Sequence, residues 1–169
     1  HYEQYILLCI IHRQFEKAAQ LLKTIFDPCI AKRQDIFATR GALSYAKLYL
    51  STGDHKKALH YINLAREINE KTFYLPFDLQ LRVLENICFY KKGEYDFAQQ
   101  LTVRNLKFLH SQEADSSLDD YKLFFRILAA FIKCAEEKRS LPEKFRKDHE
   151  RIGMQYRNLY CNLLPELER

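Results

Sequence analysis

The stretch that decides the fold runs from Gly41 to Asn69 and reads GALSYAKLYLSTGDHKKALHYINLAREIN. Apolar residues recur every three or four positions on both sides of Gly53 and Asp54, which is typical of helices with one buried face. Glycine can adopt the left-handed conformation that closes a helix, and an Asp carboxylate can accept a hydrogen bond from the first turn of the next helix. The stretch therefore predicts a helical hairpin with a tight antiparallel turn.

The hairpin pattern recurs along the chain with a regular period. Small residues lie at equal intervals, at Ala18, Ala58 and Ala98, and other apolar positions keep the same register. One hairpin is too small to bury its apolar side alone, so we expect successive hairpins to stack. The positions with a predicted structural role in the repeat are Ala18, Tyr49, Gly53, Ala58, Ala65, Gly93 and Ala98.

Helical periodicity accounts for the whole chain, which we expect to form about eight helices in a single domain over 1–169. The predicted repeats span about 1–33, 34–73 and 74–112, and a terminal helix pair spans about 117–164. Asp27 precedes a proline, which disfavours helix there and predicts a connection over 26–32. Residues 72–76 are predicted to form the next connection, with the fifth helix beginning at Leu79.

The central hairpin also has a characteristic order of small and aromatic residues. These residues are Ala42, Tyr45, Ala46 and Tyr49 before the turn, and Ala58, Ile62 and Ala65 after it. In this order the hairpin resembles the tetratricopeptide repeat family. The resemblance implies an all-α, right-handed superhelix of stacked antiparallel helical hairpins, a TPR-like α-solenoid.

The chain departs from the tetratricopeptide pattern in three respects. Its period is about 40 residues rather than about 34, it contains no Trp, and Glu70 stands in place of the closing proline. We therefore describe the array as divergent. Armadillo or HEAT-type stacking is the nearest alternative, because those repeats are about 40 to 47 residues long.

The family resemblance also implies a function. In tetratricopeptide repeat proteins, the first helices of the hairpins line a concave face that holds a peptide or a helix of a partner. The resemblance therefore implies a non-catalytic protein interaction scaffold. The partner would be another protein or peptide, or another domain of the same longer chain. The first-helix positions that map to this face are Arg40, Leu43, Ser44, Lys47, Gln80, Val83, Ile87, Tyr90 and Lys91.

Two other functions stay open from the sequence. A basic segment over 138–157 would suit a nucleic-acid-binding helical solenoid, although the net charge of +5 is mild and acidic residues interrupt the segment. A ligand-sensing regulatory domain with a pocket between helices is the second alternative. The basic patch of the first alternative consists of Lys144, Arg146, Lys147 and Arg151.

The sequence contains no motif for catalysis, a metal or a cofactor. It lacks a Gly-rich phosphate loop, a nucleophile elbow and a metal-ligand spacing of His or Cys, so we expect no enzyme and no cofactor. No apolar run is long enough to insert into a membrane. The five cysteines lack CxxC spacing, which favours free thiols in the reducing cytoplasm. The chain begins at His1, so we expect it to be part of a longer protein. The five cysteines are Cys9, Cys29, Cys88, Cys134 and Cys161.

Overall fold

The computed structural model describes residues 2–32, 36–112, 118–140 and 142–143. These residues form helices, turns and short connections without any strand, which confirms the all-α class. None of the helices in these ranges is both long enough and apolar enough to span a membrane. The helices are α1 (Tyr2–Ile11), α2 (Phe15–Lys32), α3 (Ile36–Ser51), α4 (His55–Thr72), α5 (Leu75–Lys91), α6 (Tyr95–Ser111) and α7 (Asp119–Glu136).

The predicted connection over 26–32 is wrong, and the one predicted over 72–76 is shorter than expected. Helix α2 continues through Pro28 to Lys32, and contacts with α3 hold this end, because the Tyr45 hydroxyl donates a 2.7 Å hydrogen bond to Asp27 Oδ1. Helix α5 begins at Leu75 instead of residue 79. Proline is well tolerated in a first helical turn, where its missing N–H has no partner to lose, so Pro76 lies inside α5.

The turns between α1 and α2, between α3 and α4, and between α5 and α6 have the same backbone hydrogen bonds. In the first turn, the Arg13 N–H donates to the Ile10 carbonyl at 3.0 Å and the Gln14 N–H donates to the Cys9 carbonyl at 2.8 Å. Both bonds recur in the same register in the second and third turns, and this pair of bonds defines the Schellman helix ending. The residues with positive φ in the three turns are Arg13 at 57°, Gly53 at 79° and Gly93 at 77°.

The described chain falls into two compact units, one ending at Cys88 and the other beginning at Phe89. In the first unit, α3 packs against α2 on one side and against α4 on the other. The α1–α2–α3 core contains Ile6, Cys9, Ile10, Ala18, Leu22, Phe26, Tyr45 and Leu48. The α3–α4–α5 core contains Ala42, Leu43, Ala46, Ile62, Ala65, Phe77, Leu81 and Leu84.

In the second unit, α6 packs against α7. Helix α7 has a pronounced apolar face, and its Phe125 and Phe131 are fully buried, as is Leu109 of α6. The predicted eighth helix and Cys161 lie outside the described residues, and the single domain over 1–169 stays a prediction. The four described cysteines are free thiols, of which Cys9, Cys88 and Cys134 are buried.

Candidate partner-binding face

Five of the nine predicted contact residues are buried rather than open to a partner. Leu43 and Val83 are 1% and 0% exposed, and Leu43 belongs to the α3–α4–α5 core. Register places a residue on a face of a helix but does not say how deeply neighbouring helices cover it. The buried side chains are Leu43, Ser44, Val83, Ile87 and Tyr90, of which Tyr90 belongs to the second unit, as does Lys91.

The remaining predicted contact residues of the first unit are polar, and their contacts connect α1, α3 and α5. Lys47 Nζ of α3 donates a 3.1 Å hydrogen bond to Gln80 Oε1 of α5. Arg40 Nη1, also on α3, lies 3.9 Å from the Glu3 carboxylate of α1. We call these four residues the polar face. Its members come from α1, α3 and α5, so the structure brings the first helix of each hairpin in this unit to one side.

Lys47 has the most perturbed environment on the polar face. Its removal from water lowers its pKa from the ordinary value, and the negative charge of Glu3 partly opposes this effect. An ammonium group has three donors, whereas Gln80 offers a neutral amide oxygen. A half-buried ammonium whose hydrogen-bond acceptor is neutral is well suited to bind a carboxylate from another molecule.

Arg40 is held in place by aromatic rings as well as by Glu3. Its guanidinium carbon lies 5.9 Å from the centre of the Phe77 ring and 6.0 Å from that of Phe37. Cation–π contacts of this length orient a guanidinium without removing its donors. Arg40 therefore adds a second positive group to the polar face, about two helical turns from Lys47 along α3.

Sequence reasoning missed Glu3 as a member of this face. Glu3 has the same register in the first hairpin as Leu43 and Val83 have in the later two, and both of those residues are buried. A charged residue at a position that is apolar in the later hairpins is a signal that could have identified it. Phe77 was also missed, because the sequence placed it before the start of the fifth helix.

The structure gives less support to the other candidate sites. The basic patch, Lys144 to Arg151, lies outside the described residues, so nucleic-acid binding stays a prediction from the sequence alone. In the second unit, an open depression of about 510 Å³ lies beside the turn between α5 and α6. Within the ranges that the structure describes, no group of three or more His, Cys, Asp or Glu side chains could hold a metal ion. The depression is lined by Gly93, Glu94, Tyr95, Asp96, Phe97 and Glu136.

Comparisons of this chain with family models, with curated proteins and with solved structures found no match.

Proposed function

We propose that this chain is a divergent, TPR-like array of helical hairpins that acts as a non-catalytic protein interaction scaffold. Three observations support the repeat. The turns of its hairpins have the same hydrogen bonds in the same register. Ala18, Ala58 and Ala98 are all fully buried. The first helices of the first unit lie side by side on the polar face.

The partner that fits the polar face is a peptide or helix with an acidic group. The observation that carries this assignment is the Lys47 ammonium, which burial destabilises and which has the neutral Gln80 oxygen as its acceptor. A carboxylate placed beside Lys47 forms a charge-assisted hydrogen bond, which is about twice as strong as a neutral one. Arg40 offers a second contact to the same ligand, in competition with Glu3.

Selection from a displayed library of random peptides tests the function directly, with the full chain as bait. We expect the enriched peptides to contain an Asp or Glu at a constant distance from apolar residues. Lys47→Met should weaken the binding of these peptides about tenfold or more, because a hydrogen bond to a charged group contributes about 1.5 to 3 kcal/mol. Lys56→Met is the matched control, since Lys56 is exposed and lies on α4, which contributes no residue to the polar face.

A second variant separates loss of the site from loss of the fold. Gln80→Glu places a carboxylate beside Lys47 Nζ within the protein, so it should weaken peptide binding by competing for the ammonium while retaining the helical circular dichroism. Selection without any enriched acidic peptide would refute the proposal. So would enriched peptides that bind the Lys47→Met protein as tightly as the original.

A further inference from the structure

Helix α1 carries an apolar stripe that is open to solvent. Tyr2, Tyr5 and Leu8 are 67%, 43% and 50% exposed. Residues three apart lie on the same side of a helix, so these side chains form one continuous stripe along α1. We call it the α1 stripe. It is distinct from the polar face, because none of its residues belongs to that set.

The equivalent residues of the second hairpin are covered. Tyr45 and Leu48 occupy the positions of Tyr5 and Leu8 in the repeat, have the same residue types, and are only 6% and 3% exposed. They share a core with side chains of α2, the second helix of the preceding hairpin. The Tyr45 hydroxyl also donates a 2.7 Å hydrogen bond to Asp27 Oδ1 near the end of that helix.

The third hairpin repeats this arrangement with different chemistry. Glu85 and Cys88 occupy the same two positions in its first helix. Glu85 forms a 2.9 Å ion pair with Arg66 of α4, and the buried Cys88 thiol lies 3.5 Å from the His55 carbonyl at the start of α4. In both later hairpins, therefore, the second helix of the preceding hairpin covers these two positions.

We propose that the α1 stripe is a docking surface for the second helix of another hairpin of the same kind. The chemistry that α2 presents to Tyr45 and Leu48 specifies the occupant. It is a helix with a small residue, a leucine and a phenylalanine at successive steps of four, as in Ala18, Leu22 and Phe26. A carboxylate follows the phenylalanine and accepts a hydrogen bond from the Tyr5 hydroxyl, as Asp27 does from Tyr45.

A tandem duplication tests the proposal with the complete chain. A copy of residues 2–41 is placed directly before Tyr2, so that Gly41 of the copy joins Tyr2 in the register in which Gly41 joins Ala42. The second Tyr5 and Leu8 then have the positions of Tyr45 and Leu48 relative to the added α2. Hydroxyl-radical footprinting reads their exposure in the peptide that crosses the junction, which differs in mass from the peptide of the first copy.

We expect oxidation of Tyr5 and Leu8 in the junction peptide to fall several-fold relative to the unduplicated chain. The control duplicates residues 2–39 instead. Omitting two residues turns the following helix by about 200°, so the α1 stripe points away from the added helix and should stay reactive. Equal oxidation in the duplicated and unduplicated chains would overturn the proposal.

Two further outcomes are decisive. A duplicated chain that gains no helical circular dichroism over the original would count against the proposal, because the covalently joined helix would then have failed to dock. Sedimentation of the unduplicated chain tests another occupant. A concentration-dependent dimer that Leu8→Glu abolishes would assign the α1 stripe to a second copy of this chain and overturn its assignment to a hairpin helix.

Discussion

The first and second hairpins of the first unit place the same residues in opposite environments. Tyr5 and Leu8 are about half exposed, whereas Tyr45 and Leu48 are buried beneath α2. The backbone turns of the two hairpins have the same hydrogen bonds, so local structure does not explain the difference. The difference is that α2, the second helix of the preceding hairpin, covers Tyr45 and Leu48.

Replacement of the two equivalent leucines should give the largest contrast. Leu48→Ala removes a buried side chain and leaves a cavity beside α2, so it should lower the free energy of unfolding by about 2 to 5 kcal/mol. Leu8→Ala should change the free energy of unfolding by about 0.5 kcal/mol or less, because half of the Leu8 side chain is already in water. Urea denaturation measures both. Similar losses for the two variants would show that the α1 stripe is covered in solution.

Gly41→Ala tests how closely α2 approaches α3. An added Cβ at Gly41 would lie 2.6 Å from the Cβ of Phe26, which is tied directly to the backbone of α2 and cannot rotate away. The helices must separate, so we expect a loss of about 1 to 3 kcal/mol in the free energy of unfolding. Thermal and urea denaturation give the value. An unchanged stability would mean that α2 and α3 are further apart than the structure shows.

The equivalent turn residues Arg13 and Gly53 should respond in opposite directions. Arg13 adopts a φ of 57°, which is unfavourable for a residue with a Cβ, so Arg13→Gly should stabilise the protein by about 1 kcal/mol. Gly53→Ala should destabilise it by about 1 kcal/mol through the backbone alone, since an added Cβ would contact nothing within 4 Å. Denaturant midpoints measure both changes. A destabilised Arg13→Gly protein would indicate that the arginine side chain has a separate role.

The smallest predicted effect on stability concerns Asp54, which follows Gly53 in the second turn, and this effect depends on pH. Hydrogen bonds from Lys57, foremost from its backbone N–H, lower the pKa of Asp54 below its ordinary value of 3.8. Since the folded-state pKa is the lower one, this stabilisation is present above the ordinary value and is lost as the pH falls through the folded-state pKa. Asp54→Ala should therefore lower the thermal midpoint at pH 7 but have little effect near pH 2.

Glu94→Ala is the matched control for Asp54, because the Glu94 side chain makes no capping hydrogen bond to α6. We expect its thermal midpoint to stay close to that of the original chain at both pH values. An Asp54→Ala effect of the same size at pH 7 and near pH 2 would contradict the capping explanation.

Sequence patterns predicted most of the described helices and the second and third turns, because these features depend on residues close together in the chain. The first turn contains no glycine, and there Arg13 has the left-handed conformation that glycine adopts in the other two turns. The prediction failed at Asp27 and Pro28, where contacts with α3 sustain a helix that the local sequence disfavours. It also assigned Leu43 and Val83 to an open face, although both are buried.

The sequence by itself determined the all-α class and the positions of the glycine turns. Each follows from local periodicity and from backbone preferences that act within one hairpin. Only the tertiary structure decided which first-helix residues are buried, that Glu3, Arg40, Lys47 and Gln80 meet on one face, and that Tyr5 and Leu8 are uncovered. The physical reason is that burial of a residue depends on the neighbouring helix that covers it. The residues of that helix are not part of the local pattern from which the position was predicted.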